Sequence, residues 1–301
     1  MDIFLTGGTG FIGSYVAKAL LDAGHTLSVL VRNPQKTASL SGLPGVRIIN
    51  GTLTDYELIA EHLGNKDAVI HVALGWGDTA ADMLKNDTLP SVVLMQQAAE
   101  AGVKHFIYTS STAALGWLFA DADEETKTKP VDLYGATKAA SENFLLAAAF
   151  RSAMRGNIIR PGYTFGNPVT EGAVTQPDRR FHDIVEKALS GRDIELTRHD
   201  GTQFIYAGDL AKIYMAVLAS NVNRQIYLGL GRDYITWEEI AAQAIALTGS
   251  PSKIVLKDGG FSDRPLCYRL DKIAREFGFR FKARDKIRAH LEYLCGILSA
   301  Q

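Results

Sequence analysis

The sequence predicts a doubly wound α/β fold, a parallel sheet with helices on both faces, joined to a smaller and mostly helical C-terminal domain. Three observations predict it. Apolar β-rich runs alternate with helical patterns from residue 2 to about residue 160, the order expected of a parallel sheet built from crossover units. The first run, Ile3-Phe4-Leu5, ends in the glycine turn Thr6-Gly7-Gly8-Thr9-Gly10-Phe11-Ile12-Gly13 and passes straight into an amphipathic stretch from Ser14 to Ala23. From Gly166 onward Pro168, Gly172 and Pro177 punctuate a loop and the elements become short, which places a second unit there. The expected division is residues 1–165 with 203–230 for the first domain, and 166–202 with 231–301 for the second.

A strand that turns on glycine directly into a helix leaves the first helical N–H groups unpaired and converging on one point. There they and the helix dipole favour an anion, most often a pyrophosphate. Gly7 permits the turn, Gly10 lets the backbone approach the phosphates, and Gly13 lets helix pack closely on strand. The spacing is G-x-x-G-x-x-G rather than the commoner G-x-G-x-x-G, and the strand before and helix after supply the context for a dinucleotide site. Gly7, Thr9, Gly10, Phe11, Ile12 and Gly13 are therefore expected to touch a dinucleotide.

The remaining elements follow in order. His25 to Val31 is a second strand, broken at Arg32-Asn33-Pro34. Arg32 lies 19 residues beyond Gly13, where an acidic residue takes a ribose 2′-OH or an arginine accommodates a 2′-phosphate. An arginine here predicts NADP in preference to NAD. Val46 to Ile49 is a third strand, after which Gly51-Thr52-Leu53-Thr54-Asp55 opens a helix to His62. Asp67 to Val72 is a fourth strand leading into Ala73-Leu74-Gly75-Trp76-Gly77, a stretch placed to line a ligand. One helix is expected from about Ala81 to Gly102, then a fifth strand from Lys104 to Thr109 that ends in Ser110-Ser111-Thr112. Asp121 to Lys129 reads as a charged loop, a solvated one in preference to a lid over the site, Leu133 to Arg151 as a long Ala-rich helix, and Asn157 to Arg160 as a sixth strand stopped by Pro161-Gly162. Beyond it, Phe181 to Leu189 and Asp209 to Ser220 are helical, Ile194 to Leu196 and Gln203 to Tyr206 are short strands, and Gln225 to Leu228 is a last central strand. Thr236 and Glu239 form a capping pair at the start of a later helix, and two more helices fall between Asp271 and Leu298.

Composition narrows the class. The 301 residues are 47% hydrophobic and 22% charged, with a formal net charge of -1. With no basic excess there is no electrostatic footprint for nucleic acid. No apolar run reaches the roughly 18 residues needed to span a bilayer. A strand starting at Asp2 leaves no room for a signal peptide, and two distant cysteines, Cys267 and Cys295, fit reduced thiols in a cytoplasm better than a disulfide framework. No metal is expected.

Tyr134 and Lys138 stand four apart at the start of the Ala-rich helix, which puts both on one face. An ammonium beside a phenol stabilises the phenolate, lowering a pKa near 10 by about one to three units, so such a tyrosine exchanges protons near neutral pH. Ser111, at a strand end 23 residues upstream, is placed to hydrogen-bond the same substrate oxygen. A second Y-x-x-x-K copy, Tyr268 with Lys272, lacks this context and is read as chance.

Thr6 to Gly13, Ser110-Ser111-Thr112 with Gly116, and Tyr134-Gly135-Ala136-Thr137-Lys138 together resemble the extended short-chain dehydrogenase/reductases, the group that holds the NAD-dependent sugar epimerases and dehydratases. Phe204-Ile205-Tyr206 with Asp209-Leu210-Ala211 resembles that family's segment before its late helix. The resemblance implies a Rossmann sheet carrying a nicotinamide cofactor, with Tyr134 exchanging a proton as hydride passes to or from the ring. Lys138 would tune Tyr134 and hold the nicotinamide ribose, and Ser111 would orient the substrate oxygen. Val72, Ala73 and Leu74 would flank the cofactor, with Thr52, Leu53, Thr109 and Pro161 also in contact. Homodimerisation is implied through the helix before the fifth strand and the tyrosine helix, where Val92 to Met95 and Phe144 to Leu146 offer apolar surface.

The departures from the family pattern bear on substrate. Thr52 stands where relatives commonly have aspartate near the adenine, and Asp87 aligns where an asparagine is expected, with Asn86 beside it. Tyr163 stands in place of a nucleotide-recognising asparagine and Thr202 in place of a diphosphate arginine. Arg264 with Pro265 lies closer to Asp271 than a second phosphate arginine should. The expected function is therefore an NAD(P)-dependent oxidoreductase acting on a carbonyl or secondary alcohol of a small, non-nucleotide molecule, with Tyr163, Trp76 and Trp117 as an aromatic wall. The alternatives are a nucleotide-sugar epimerase or dehydratase and, from another class, a non-catalytic NADP(H)-sensing regulator.

Overall fold

The computed structural model describes residues 1–37, 40–170 and 173–299; Gly172 lies outside the described residues. Seven strands form one parallel sheet. In chain order the first six are β1 (Asp2–Thr6), β2 (Thr26–Val31), β3 (Val46–Asn50), β4 (Ala68–His71), β5 (His105–Thr109) and β6 (Arg155–Pro161). The sheet runs Ile226–Gly229, β6, β5, β4, β1, β2, β3. Every pairing is parallel. β4 and β5 are buried along their whole length, as expected of parallel strands covered on both faces. The order reverses at β1, which pairs with β2 on one side and β4 on the other. A doubly wound sheet opens its ligand crevice at the carboxyl ends of the strands at such a reversal.

Helix α1 (Phe11–Asp22) follows β1, and α2 (Tyr56–Leu63) follows β3. The single helix expected after β4 is instead three pieces. They are α3 (Ala80–Met83), a π-helical turn over Leu84–Thr88, and α4 (Leu89–Glu100). Pro90 in the first turn of α4 has no N–H to give back to the carbonyl four residues earlier, and that carbonyl, of Asn86, lies where a Cβ on Gly75 would meet it at 1.8 Å. Only glycine lets the loop after β4 pass this turn. Helix α5 (Leu133–Arg151) has the bounds that the sequence predicts, with Asp132 as its N-cap accepting the Gly135 N–H at 2.6 Å.

The expected strand Gln203 to Tyr206 splits in two. Gly201–Gln203 pairs antiparallel with Tyr234–Thr236, whereas Ile205–Tyr206 pairs parallel with Thr164–Phe165. Phe204 between them is wholly buried against Tyr163, Phe181 and Trp237, at ring separations of 5.0–5.7 Å. These rings form the core of the C-terminal part with Ile240, Ile287 and Leu291. The Thr236/Glu239 capping box is formed.

The segment Asp121 to Lys129 is only partly a solvated loop: Asp121, Glu125, Lys127 and Lys129 are exposed, whereas Ala122 and Glu124 are buried. Ala122 forms a bridge with Tyr268; its N–H bonds the Cys267 carbonyl at 3.0 Å and its carbonyl takes the Arg269 N–H at 2.7 Å. Glu124 is buried, its carboxylate takes the Leu228 N–H at 3.4 Å, and burial pushes its pKa up. A charged composition misleads here because the charges fasten the C-terminal segment to the sheet.

Candidate active site

The turn after β1 lies at the reversal point of the sheet. Gly7 has φ +72°, and a Cβ there would lie 2.5 Å from the Ala73 backbone nitrogen, while one on Gly13 would lie 2.0 Å from the Gly7 carbonyl. Both positions therefore require glycine for close packing. Gly10 is the N-cap of α1 and caps nothing with a side chain, and no acidic residue occupies the first turn. The helix N-terminus formed by Phe11, Ile12 and Gly13, with Thr9 before it, is thus uncapped and electropositive. This cradle fits a dinucleotide pyrophosphate. Arg32 is exposed just past β2, and no ion pair engages it among the described residues. Thr52 is tied into its own turn, its N–H and hydroxyl both bonding the Asp55 carboxylate at 2.7 and 3.0 Å, and Leu53 packs on the core below.

Val72 and Ala73 leave β4 held by Thr6, through its carbonyl at 3.2 Å and its hydroxyl at 3.2 Å respectively. The Thr6 hydroxyl lies 2.6 Å from His71 Nδ1, His71 Nε2 lies 2.9 Å from Ser91 Oγ, and Ser91 donates to the Asp87 carbonyl at 2.6 Å. Because Ser91 spends its proton on Asp87, Nε2 must donate and Nδ1 must accept. One neutral tautomer satisfies the whole chain. Burial and the charge of Lys138 hold the His71 pKa down to about 3, so the imidazole stays neutral and locks the π-helical turn to β1 and β4.

On α5, Tyr134 and Lys138 lie on successive turns, with the Lys138 ammonium 5.7 Å from the Tyr134 ring centre and 5.3 Å from that of Tyr108. Lys138 is only 3% exposed, and 3.4 Å from its Nζ is the carboxylate of Asp87, which is 0% exposed. One turn further along the same face, Glu142 accepts from Arg160 Nε and Nη2 at 2.8 and 2.7 Å and from the Ser110 hydroxyl. This buried cluster ties the ends of β5 and β6 to α5. Ser111 accepts the Ala113 N–H at 3.1 Å, which leaves its own hydroxyl proton free for a ligand. Thr109 hydrogen-bonds the Tyr214 hydroxyl at 2.7 Å, and Pro161 pairs with Gly229 at the sheet edge.

Two cavities open here. An apolar cleft of about 510 Å³ is lined by Leu74, Trp76, Met83, Leu133 and Tyr134. A polar cavity of about 440 Å³ contains Ser111, Thr112, Tyr163, Arg180, Asp200 and Thr202. The wall that the sequence suggests is therefore divided. Trp76 borders the apolar cleft, Tyr163 belongs to the polar cavity, and Trp117, 72% exposed, lines neither. The face of Tyr163 is taken by the Arg180 guanidinium at 5.2 Å, which also lies 4.5 Å over Trp237 and is bound by Asp178 at 3.1 Å. Asp200 faces the same cavity, and burial pushes its carboxyl pKa up. Arg264 is exposed and lines neither cavity.

Tyr268, read as half of a chance pair, lines the polar cavity. Lys272 does not accompany it; the ammonium donates to Gln225 at 2.8 Å and sits over the Tyr227 ring. His71, Asp87, Glu142, Arg160, Arg180 and Asp200 also surround the cleft and cavity, and no motif in the sequence marks them together. The 134, 138, 142 periodicity was a usable signal for Glu142, and the asparagine position was one for Asp87. Of the apolar residues proposed for an interface, Leu94, Met95 and Leu145 are buried in the core, whereas Phe144 is 52% exposed.

The family model for the NAD dependent epimerase/dehydratase family matches residues 3–229. A 3 beta-hydroxysteroid dehydrogenase/Delta 5-->4-isomerase of Mycobacterium tuberculosis is 30% identical over 209 residues, 63% of this chain and 54% of that protein, so the match spans about half the relative's length. A dTDP-glucose 4,6-dehydratase of Streptomyces niveus is 25% identical over 303 residues, covering 93% of this chain and 88% of that protein. The solved UDP-glucuronic acid 4-epimerase of Bacillus cereus in complex with NAD has the same fold, with a TM-score of 0.82–0.83, 19–20% identity and coverage of 99% of this chain and 100% of that one. No helix among the described residues is long and apolar enough to cross a membrane. With its glycine turn at the sheet reversal and its Tyr134–Lys138 helix beside it, the chain belongs to the NAD dependent epimerase/dehydratase family.

Proposed function

We propose that the protein is an NAD(P)-dependent oxidoreductase acting on a carbonyl or secondary alcohol of a small, non-nucleotide substrate. The observation that carries this reading is Tyr134 at an open cleft beside a buried lysine, with a free Ser111 hydroxyl at the neighbouring cavity. A non-catalytic sensor has no need of that arrangement. The bound nicotinamide supplies or accepts the hydride. Tyr134 donates a proton to the carbonyl oxygen in reduction and withdraws it from the alcohol in oxidation. Ser111 donates a hydrogen bond to the same oxygen and holds it at the seam between the two cavities, and Lys138 stabilises the phenolate and holds the ribose. The apolar cleft receives an apolar substituent and the polar cavity a neutral hydrogen-bonding one. The relatives named as dehydrogenases, the steroid enzyme above among them, support redox chemistry.

The cofactor reading is a preference for NADP(H). A free, exposed Arg32 past β2 is able to pair with a 2′-phosphate through charge-assisted hydrogen bonds worth about 1.5–3 kcal/mol. Wild type is expected to bind NADPH about tenfold or more tighter than NADH, and Arg32→Asp to reverse the order. Calorimetric dissociation constants check this, and equal wild-type affinities would remove the argument. The protein also pairs with a second copy through α4 and α5, where Leu89, Phe144 and Phe150 remain exposed.

The second reading, a nucleotide-sugar epimerase or dehydratase, is favoured by the dehydratase match along nearly the whole chain. The wall of the polar cavity argues against it. Among the described residues that line it, the one guanidinium, of Arg180, is already paired with Asp178, Asp200 adds a second carboxylate, and Thr202 brings no charge. A diphosphate needs net positive charge or converging N–H donors there. UDP and UDP-glucose are therefore expected to bind in calorimetry more weakly than about a millimolar Kd. Micromolar binding that weakens in Arg180→Met would promote the second reading.

A further inference from the structure

We propose that Arg180 and Asp200 form a specificity subsite for a neutral group that accepts and donates hydrogen bonds at once, a hydroxyl or a carboxamide. The substrate carries this group on the side of the reacting carbon away from its apolar substituent. The subsite lies in the same cavity as Ser111, and its place relative to the reacting carbon rests on the reading of Ser111 and Tyr134 given above.

Both members of the pair are held in place before any ligand arrives. Arg180 opens the helix Arg180–Leu189. Its guanidinium rests on the rings of Trp237 and Tyr163, and Nε and Nη2 each donate to Asp178 at 3.1 Å. No hydrogen bond engages its Nη1 among the described residues, which leaves donors for a ligand in the cavity that this residue lines. Asp200 sits in the turn before the strand Gly201–Gln203. Its N–H donates to the Thr197 carbonyl at 3.2 Å, and its carbonyl accepts the Trp237 N–H at 2.9 Å. Trp237, only 2% exposed, therefore fixes Asp200 through its backbone and Arg180 through its ring. His199, just before Asp200, has φ +61°, and its carbonyl accepts the Tyr234 hydroxyl at 3.2 Å. A residue other than glycine adopts that left-handed backbone at a cost, and such strain gathers where a site has to be presented.

Arg180 and Asp200 lie within each other's field, yet the ion pair of Arg180 is with Asp178. The Asp200 carboxylate has no side-chain partner among the described residues, and burial pushes its pKa up. A guanidinium and an unpaired carboxylate that share a cavity without touching select by charge. A carboxylate on the substrate would meet Asp200, and an ammonium would meet Arg180, one like charge in either case. A hydroxyl or a carboxamide instead accepts from Arg180 and donates to Asp200, with charge assistance at both ends. Thr112, Thr202 and Tyr268 bring only neutral hydroxyls to the same wall, so among the described lining residues no further cation offsets Asp200.

The test is binding, read by ligand-observed NMR titration of the full chain in the presence of oxidised NADP, so that no ketone is consumed. The probes are β-benzoylpropionamide and β-benzoylpropionate, nearly identical in shape. Each carries a phenyl ring on one side of a ketone, for the apolar cleft, and on the other side a carboxamide or a carboxylate. The amide is expected to bind wild type about tenfold or more tighter than the carboxylate. In Asp200→Asn, whose side-chain oxygen still accepts a hydrogen bond, Arg180 faces the anion unopposed. The carboxylate is then expected to gain about tenfold while the amide stays within about threefold of its wild-type affinity. In Arg180→Met the amide is expected to weaken about fivefold or more. Equal binding of the two probes to wild type overturns the proposal, as does a ratio between them that Asp200→Asn changes by less than about twofold, or an amide that fails to bind wild type at about 10 mM. An amide indifferent to Arg180→Met overturns it as well. Should the asparagine variant not fold, Asp200→Ser is the second neutral variant, with the same expected gain and the same overturning result. Failure of the functional reading is seen separately, as NADPH that stays unoxidised in the presence of an amide that binds with the expected preference.

Discussion

Tyr134→Phe is expected to cut turnover about a hundredfold or more, the scale of lost general acid–base catalysis, while the thermal midpoint and cofactor affinity stay close to wild type. The substitution removes one oxygen from a residue at the mouth of the apolar cleft and leaves Lys138, its partner Asp87 and the N-cap of α5 untouched. Loss should therefore fall on kcat, with little change in KM, as when an interaction made only in the transition state is removed. Steady-state kinetics on an identified substrate give the answer. Full turnover in the phenylalanine variant would exclude Tyr134 as the proton carrier.

Glu142→Ala is expected to cost about 3–5 kcal/mol of stability, because it strands a buried guanidinium. Arg160 and Glu142 are both about 3% exposed in their side chains, and the carboxylate also takes the Ser110 hydroxyl. One Arg160 nitrogen, Nη1, already lacks a partner, so the cation has no alternative acceptor to turn to. The effect extends to the site, since Ser110 precedes Ser111 and Glu142 stands one turn beyond Lys138. Urea denaturation measures the loss, and a change below about 1 kcal/mol, the scale of an exposed ion pair, would mean that the cluster is not what fastens α5 to the strand ends. Glu142→Gln, which keeps one carbonyl acceptor for Arg160 and fills the same volume, should lose less than the alanine.

Local patterns made much of this legible from the sequence. Strands β1 to β6 fall within two residues of their expected bounds, because apolar runs between glycine and proline breaks specify buried parallel strands without reference to the rest of the chain. The glycine turn was equally readable, since positive φ at Gly7 and close packing at Gly13 are demands that only one residue type meets. What escaped depends on contacts between distant segments. Asp87 and Lys138 are 51 positions apart in sequence, and nothing local marks them as a pair. The π-helical turn that presents Asp87 comes from Pro90 acting together with the passage of Gly75, a tertiary demand. Arg180 and Asp200 meet in the polar cavity from separate segments, and each reads in isolation as an ordinary surface charge. The partial burial of the Asp121 to Lys129 segment is illegible locally for the same reason, as it depends on Tyr268 and Leu228 far along the chain.

The central claim is net hydride transfer initiated at Tyr134, and its most direct test is the stoichiometry of the cofactor. Purified protein is mixed with NADPH or NADH and small ketones or aldehydes that carry an apolar substituent, and nicotinamide absorbance is followed together with product. The account predicts one cofactor oxidised for each carbonyl reduced, abolished in Tyr134→Phe. Turnover of a nucleotide sugar with no net change in the cofactor would contradict it.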